Sequence, residues 1–319
     1  MKKSSDLTEE DTSTGKMHEN EADIDAVLIR RLLTAQFPQW ATLPLAPVPS
    51  AGTDNALYRL GDVLAVRLPR LEEATGQVDK EHTFLPKLAP HLSLSIPVPL
   101  ALGRPGEGYP WRWSVYQWLE GENATIEHIA DPAQAARALA HFVAALQRID
   151  PTDGPPPGTH NFFRGVPLSM RDDPTRDAIA ELSDLLDIRA ATEAWERALQ
   201  APVWHGPPVW IHGDLQPLNL LVFRGQLSAV IDFGGLGVGD PACDLIVAWN
   251  LLTAQTRDVF RAVLEVDDAT WERGRGWALS IGLIALPYYQ HTNPVLASIA
   301  RHTIAEVLAD HTRPPLGNA

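Results

Sequence analysis

Three oxygen-bearing side chains capable of joint chemistry lie close together along the chain. The segment VWIHGDLQPLNLLVF, residues 209 to 223, sets His212, Asp214 and Asn219 among apolar runs, and LSAVIDFGG then brings Asp232. The apolar runs Leu220 to Phe223 and Ala229 to Ile231 flank RGQLS and read as a small hairpin. Such a hairpin would carry Asp214, Asn219 and Asp232 to one edge. An Asp, Asn, Asp set suits a hard cation such as magnesium, which prefers oxygen and takes few ligands from protein when phosphates and water supply the rest. Phosphoryl transfer asks an enzyme for positioning, charge neutralisation and a group that orients the nucleophilic hydroxyl. Asp214 would orient that hydroxyl, while Asn219 and Asp232 would hold magnesium against nucleotide phosphates. His212 reads as a structural residue of the loop rather than a base.

The elements that must position these residues follow from periodicity. Ile24, Leu28 and Leu32 recur at helical spacing, so a first helix is predicted there. Tyr58 and Leu60, then Leu64, Val66 and Leu68, alternate on either side of Gly61-Asp62, which predicts a hairpin. A helix carrying Glu81 is expected next, with Pro86 kinking or shortening it. IPVPLALG and WSVYQWL read as further strands, completing a small sheet. Beyond EGENA the chain turns helical: Asp131 is a candidate N-cap with Pro132 in the first turn, and helices are expected at 174–200, 241–252, 256–264, 268–289 and 294–309.

Composition narrows the function classes. The chain has 319 residues, 45% hydrophobic and 21% charged, which predicts two globular lobes rather than disorder. Of the net charge of -14, residues 1–25 contribute -5, so the body is acidic as well. An acidic body disfavours sequence-independent nucleic-acid binding, which needs Lys and Arg to displace counterions. With Cys243 as the sole cysteine no internal disulfide can form, and a cysteine-rich zinc site has no support. The start lacks the apolar core of a secretory signal, and the longest apolar stretch, at 277–289, is too short for a membrane span, so a cytoplasmic protein without membrane attachment is expected. STGKM is not a P-loop, GGLGVG does not fit a dinucleotide fingerprint, and neither G-x-S-x-G nor H-E-x-x-H occurs.

HGDLQPLN followed by IDFGG resembles the catalytic and magnesium loops of the aminoglycoside phosphotransferase family of small-molecule kinases, with D-F-G at Asp232, Phe233 and Gly234. The resemblance extends over roughly residues 22 to 310. It implies an α+β, bilobal protein-kinase-like fold, with a small N-terminal antiparallel sheet lobe and a larger, mainly helical C-terminal lobe. The corresponding division is a polar tail at 1–21, a nucleotide-binding lobe at 22–119, and a catalytic and substrate-binding lobe at 120–312. It further implies that Gly52, Thr53 and Asn55 approach the phosphates, that Arg67 stands where most kinases place a phosphate-gripping lysine, and that Glu81 pairs with it. Backbone groups near Gln117 and Leu119 would meet the nucleotide base. Asp244 would brace the catalytic loop, in the helix that Asp240 and Pro241 begin.

The implied reaction is magnesium-dependent transfer of the terminal phosphate of ATP or GTP to a hydroxyl of a small molecule, with antibiotic resistance as the associated role. An aminoglycoside-type acceptor is the first expectation. Macrolides, choline, methylthioribose, homoserine and sugar-like metabolites are alternatives, and a non-catalytic nucleotide-binding protein is a further one. Trp249, Trp271, Trp277, Tyr288 and Tyr289 are candidates for an apolar pocket, although core packing is the expected role of most. Arg164, in HNFFRGVPLSMRD, reads either as ordering the cleft or meeting an acidic partner, or equally as part of a surface ion pair. The protein is expected as a monomer or homodimer.

Overall fold

The computed structural model describes residues 22–49 and 54–312. Helix α1, Ala26–Gln36, begins where Asp25 accepts the Leu28 N–H at 2.7 Å, and it buries Leu28, Ile29, Leu32 and Leu33. Five antiparallel strands follow, β1 (Leu45–Pro47), β2 (Asn55–Leu60), β3 (Leu64–Pro69), β4 (Pro99–Gly103) and β5 (Trp113–Gln117), in the order β1-β2-β3-β5-β4. The expected hairpin forms with Leu60 opposite Leu64. Strand β1 has no alternating sequence signal. It lies in a proline-rich stretch, and it is tolerated because it is an edge strand, where a missing N–H need break no ladder. Leu28, Ile29, Leu32, Leu60, Val66, Leu68, Trp113 and Val115 form the core between α1 and this sheet.

Helix α2, Thr75–Leu88, runs through Pro86 and ends two residues later. The proline lacks the N–H that would bond the His82 carbonyl, and the helix stops soon after it. After β6 (Glu122–Asn123) comes α3, Pro132–Arg148, whose N-cap Asp131 accepts the Gln134 N–H at 2.9 Å, as the sequence predicted. The single helix expected at 174–200 is instead two, α4 (Asp172–Glu181) and α5 (Ile188–Gln200), because Asp187 starts a new helix by capping Ala190.

Strands β7 (Val209–Ile211) and β10 (Gly237–Gly239) pair, and β8 (Leu220–Phe223) with β9 (Gln226–Val230) make the hairpin, extended by β6. Its turn is tighter than RGQLS suggested. Arg224 and Gly225 alone form it, both with positive φ (53° and 80°), as a two-residue hairpin turn requires. The helix expected at 241–252 begins as a 3-10 segment, Pro241–Ile246, before the single turn α6 (Val247–Asn250). Helices α7 (Ala254–Leu264), α8 (Asp268–Tyr289) and α9 (Pro294–His311) complete the fold close to the predicted spans.

A second core gathers α3 to α9 around Phe142, Trp195, Trp249, Phe260 and Trp277. Leu85 and Leu88 of α2, with Leu94 and Ile96, belong to this larger core, so the C-terminal half of α2 packs with the helical part rather than the sheet. Ser95 strengthens that junction: its N–H donates to Ser228 at 3.1 Å and its carbonyl accepts from Val230 at 2.9 Å. No helix among the described residues is long and apolar enough to cross a membrane.

Candidate active site

The loop after β7 is held from below by one carboxylate. Asp244, fully buried in the 3-10 segment that Asp240 caps, accepts the backbone N–H of His212 and of Gly213, each at 2.7 Å. Burial pushes the Asp244 carboxyl above its ordinary range, against the pull of His212 and the two N–H donors. His212 completes the brace. Its Nε2 lies 3.0 Å from the Ile231 carbonyl, which can only accept, so Nε2 carries the proton and Nδ1 accepts the Asp214 N–H at 3.2 Å. With both ring nitrogens engaged in backbone bonds, His212 has no ring atom left for proton transfer. Gly213 must be glycine on two counts: its φ is +81°, and a Cβ there would stand 2.4 Å from the Gly235 carbonyl oxygen. The HGD and DFGG segments therefore touch through their backbones.

Asp214, Asn219 and Asp232 line one cleft, as the hairpin predicted. Asn219 Nδ2 donates to the Asp214 carbonyl and to Asp214 Oδ2, both at 2.8 Å, and Gln216 Nε2 gives Oδ2 a second bond at 2.9 Å. The Ile231 N–H donates to the Asn219 carbonyl at 2.8 Å, which ties the strand carrying Asp232 to the turn carrying Asn219. Asp232 has φ +60°, a left-handed conformation uncommon for a non-glycine residue and typical of positions held by their surroundings.

Arg67 on β3 reaches both Glu81, at 2.8 Å, and Asp232, at 3.1 Å. Gln77, one helical turn before Glu81, donates to the same two carboxylates, at 2.7 Å and 2.9 Å. Tyr116 O–H donates to the second oxygen of Glu81, which is fully buried. The surrounding protein opposes ionisation of Asp232, whose side chain is 47% exposed to the cleft, but Arg67, Gln77, His212 and the Gly234 N–H outweigh it and hold the carboxyl below its usual range. Burial likewise works against the Arg67 charge, and Glu81 and Asp232 more than compensate, so the guanidinium stays charged.

The cleft, about 980 Å³, runs between the sheet and the helices. Asn55, Arg67, Gln117 and Leu119 line its sheet side and the crossing segment, while Gly52 and Thr53 lie outside the described residues. On the opposite side α8 and α9 contribute Ala278, Ile281, Ala285, Tyr289, Leu296 and Ile299. Trp249, Trp271 and Trp277 are core residues, exposed by at most 5%, so only Tyr289 of the five aromatic candidates reaches the cleft. Arg164 also lines it, its guanidinium carbon 6.0 Å from the Trp277 ring centroid.

Sequence reasoning missed several residues here. Gln77 was legible in principle, four positions before Glu81 on the same helix face. Lys80 was not, because a lysine in an amphipathic helix reads as solvated surface, yet it is only 8% exposed. The Asp240–Arg273 pair, 2.7 Å and buried on both sides, was also invisible, since α8 supplies Arg273 from far along the chain.

The family model for the phosphotransferase enzyme family (APH) matches residues 46–277. An aminoglycoside 3'-phosphotransferase of Salmonella typhimurium is 29% identical over 142 residues, 44% of this chain and 49% of that protein. One from Escherichia coli is 37% identical over 62 residues, 19% of this chain and 23% of that protein. The chain thus spans about half the length, 49%, of the first of these curated relatives. Among solved structures, the GDP and kanamycin complex of APH(2")-IIIa superposes with TM-score 0.69 at 19% identity, covering 88% of this chain and 98% of that one. The apoenzyme of macrolide 2'-phosphotransferase MphH from Brachybacterium faecium gives 0.55 at 21% identity, covering 90% and 100%. Both share the kinase-like fold. The matched span takes in each described site residue from Asn55 to Asp244, and the chain belongs to the phosphotransferase enzyme family.

Proposed function

We propose that this protein transfers the terminal phosphate of ATP or GTP to a hydroxyl of a small molecule in a magnesium-dependent reaction. The observation that carries the reading is the bonded chain Asp214–Asn219–Ile231, which draws Asp214, Asn219 and Asp232 into one cleft with Arg67. The donor set fits magnesium. Asn219 spends its Nδ2 on Asp214, so the amide's other end is a carbonyl oxygen, and Asp232 is kept ionised, giving two hard oxygen donors. No cluster of three or more His, Cys, Asp or Glu suited to a metal occurs among the described residues, so the remaining ligands would be phosphates and water. When bound, the cation would neutralise charge on the phosphates.

Asp214 would orient the acceptor hydroxyl and take its proton, with Gln216 and Asn219 fixing its carboxylate from Oδ2. Arg67 would place a permanent positive charge beside the phosphates. Asp244 and His212 touch no reactant on this reading, because every bond they make holds the loop.

The acceptor side favours a bulky, largely apolar hydroxylated molecule of the macrolide kind over a polycationic aminoglycoside. None of the residues that α8 and α9 bring to the cleft is charged. Ammonium groups moved from water to such a wall would lose solvation without a carboxylate to replace it. The acidic net charge of the body therefore does not extend to this wall. A nucleotide-consumption screen with ATP or GTP and magnesium against macrolides, aminoglycosides and choline, run beside Asp214→Asn, tests both parts. Acceptor-dependent turnover lost in the variant supports the reaction, and turnover with aminoglycosides alone would refute the acceptor class.

A further inference from the structure

Lys80 is buried at the junction of the sheet and the helical part, beside Glu81 on α2. Its Nζ donates to the Gly234 carbonyl at 2.6 Å and the His160 carbonyl at 3.1 Å, and lies 3.5 Å from His160 Nδ1. His160 Nε2 is 2.8 Å from the Pro156 carbonyl, so Nε2 carries the proton and Nδ1 offers a lone pair. Three ammonium protons thus face three acceptors. None of those acceptors belongs to α2.

The two segments Lys80 grips are those that shape the cleft. Gly234 follows Asp232 by two residues. His160 lies in the 3-10 turn Thr159–Asn161, whose Thr159 and His160 line the cleft. That turn leads into Phe162 and Phe163, both left-handed with φ 54° and 55°. Such a conformation is strained for a residue other than glycine and persists only where the surroundings impose it. Buried Asn161 supplies part of the hold, accepting the Gly158 N–H at 3.0 Å and donating to the Arg164 carbonyl at 3.1 Å. Removing an ammonium from water is costly, and here fixed backbone acceptors replace the water.

We infer that Lys80 is a positioning residue, an interlobe latch whose ammonium holds the 232–235 loop and the 159–161 turn against α2. Resting on the phosphoryl-transfer reading, its consequence for catalysis is the placement of Asp232 relative to Arg67 and Asp214. Arg67 and Gln77 grip the same loop through the Asp232 side chain, and Lys80 grips it through the backbone.

Hydrogen exchange on the unliganded protein tests the latch directly. In Lys80→Met, peptides covering 158–165 and 232–236 should exchange several-fold faster, with α9 peptides unchanged. Lys80→Gln, which keeps an uncharged amide donor, should fall between, and it carries the same readout if the methionine variant does not fold. Unchanged exchange in these peptides would overturn the latch. Titration with Mg-ATP and Mg-GTP should then show affinity about tenfold weaker in Lys80→Met, the equivalent of one charge-assisted hydrogen bond. Lys80→Arg should restore part of it. Wild-type affinity and turnover in Lys80→Met would remove the positioning role. Failure of the wild-type protein to bind either nucleotide would count against phosphoryl transfer instead, and the exchange result would still decide the latch.

Discussion

Arg67 joins two carboxylates with one guanidinium: Nη1 donates to Glu81 Oε1 at 2.8 Å and Nη2 to Asp232 Oδ1 at 3.1 Å. The sequence raised Arg67 as a departure from the lysine that most kinases use, and the geometry gives that departure a physical reason. A planar fork presents donors in fixed directions on either side of its central carbon, whereas an ammonium is a point charge on a flexible stem. Arg67 can therefore bridge the α2 glutamate and the loop aspartate at once.

Replacing Arg67 by lysine should accordingly cost more than a conservative change would. The ammonium can meet Glu81 or Asp232 in good geometry but not both, so one charge-assisted bond is lost, worth about 1.5–3 kcal/mol. The expected outcome is nucleotide KM raised by roughly ten- to a hundredfold, with Arg67→Met worse than Arg67→Lys. Steady-state kinetics on the two variants check it, and equal KM values for wild type and Arg67→Lys would remove the bridging argument.

Asp214→Asn should separate binding from chemistry. The amide keeps the size of the side chain, so the loop held by Asp244 and His212 should survive, as should nucleotide affinity. Turnover should fall by about 10²–10⁴, the usual contribution of a positioned proton acceptor. Calorimetry for nucleotide binding and a single-turnover assay for transfer provide the two readings. A parallel loss of both would place Asp214 in nucleotide binding rather than at the acceptor hydroxyl.

The parts of this site that the sequence disclosed are those encoded locally. Asp214 and Asn219 precede one short hairpin and Asp232 follows it, so their spacing predicts convergence, and Asp131 announces its helix through a short-range cap. The parts that stayed hidden depend on contacts between distant segments. Lys80 is an ordinary surface lysine until Gly234 is brought 2.6 Å away, and Arg273 is an ordinary helical arginine until Asp240 meets it. Local breaks were also invisible: nothing in periodicity distinguishes α4 and α5 from one long helix except Asp187, whose capping role needs the bend already in place. The apolar cleft face of α8 and α9 was not legible for a related reason. Net charge is a property of the whole surface, while the cleft face of α8 and α9 is set by which side of each helix packs inward.

Asp244→Asn should damage stability and activity together. One of its two oxygens becomes an N–H₂ group facing a backbone donor, leaving a buried N–H of His212 or Gly213 without an acceptor. Loss of a hydrogen bond to a buried charged group and the unsatisfied donor left behind should cost about 2–4 kcal/mol. Urea unfolding measures the first effect. Turnover at saturating nucleotide measures the second, and it should fall even though Asp244 meets no reactant, because the loop presenting Asp214 loses its anchor. A variant with wild-type unfolding midpoint and wild-type turnover would show that the brace is dispensable.

Cys243 provides a pH-dependent test of the same buried layer. Burial, aided by the Asp244 charge and opposed by Arg164, pushes its thiol up to about 12. At pH 8 the native protein should not react with a thiol-specific disulfide reagent, because the thiolate is the nucleophile and the sulfur is fully buried. Unfolding in urea should release one reactive thiol per chain. The sign of the linkage follows from the raised folded value: the folded state keeps a proton that the unfolded chain gives up from about pH 8.5, so the contribution to stability is whole below that pH and declines above it. Between pH 8.5 and 10.5 the difference in stability between wild type and Cys243→Ala should shift against wild type by as much as about 1.4 kcal/mol per pH unit. Paired urea titrations at several pH values measure that difference with other titrating groups cancelled. A constant difference, or fast labelling of the native thiol, would mean that the layer beneath the 212–214 loop opens to solvent.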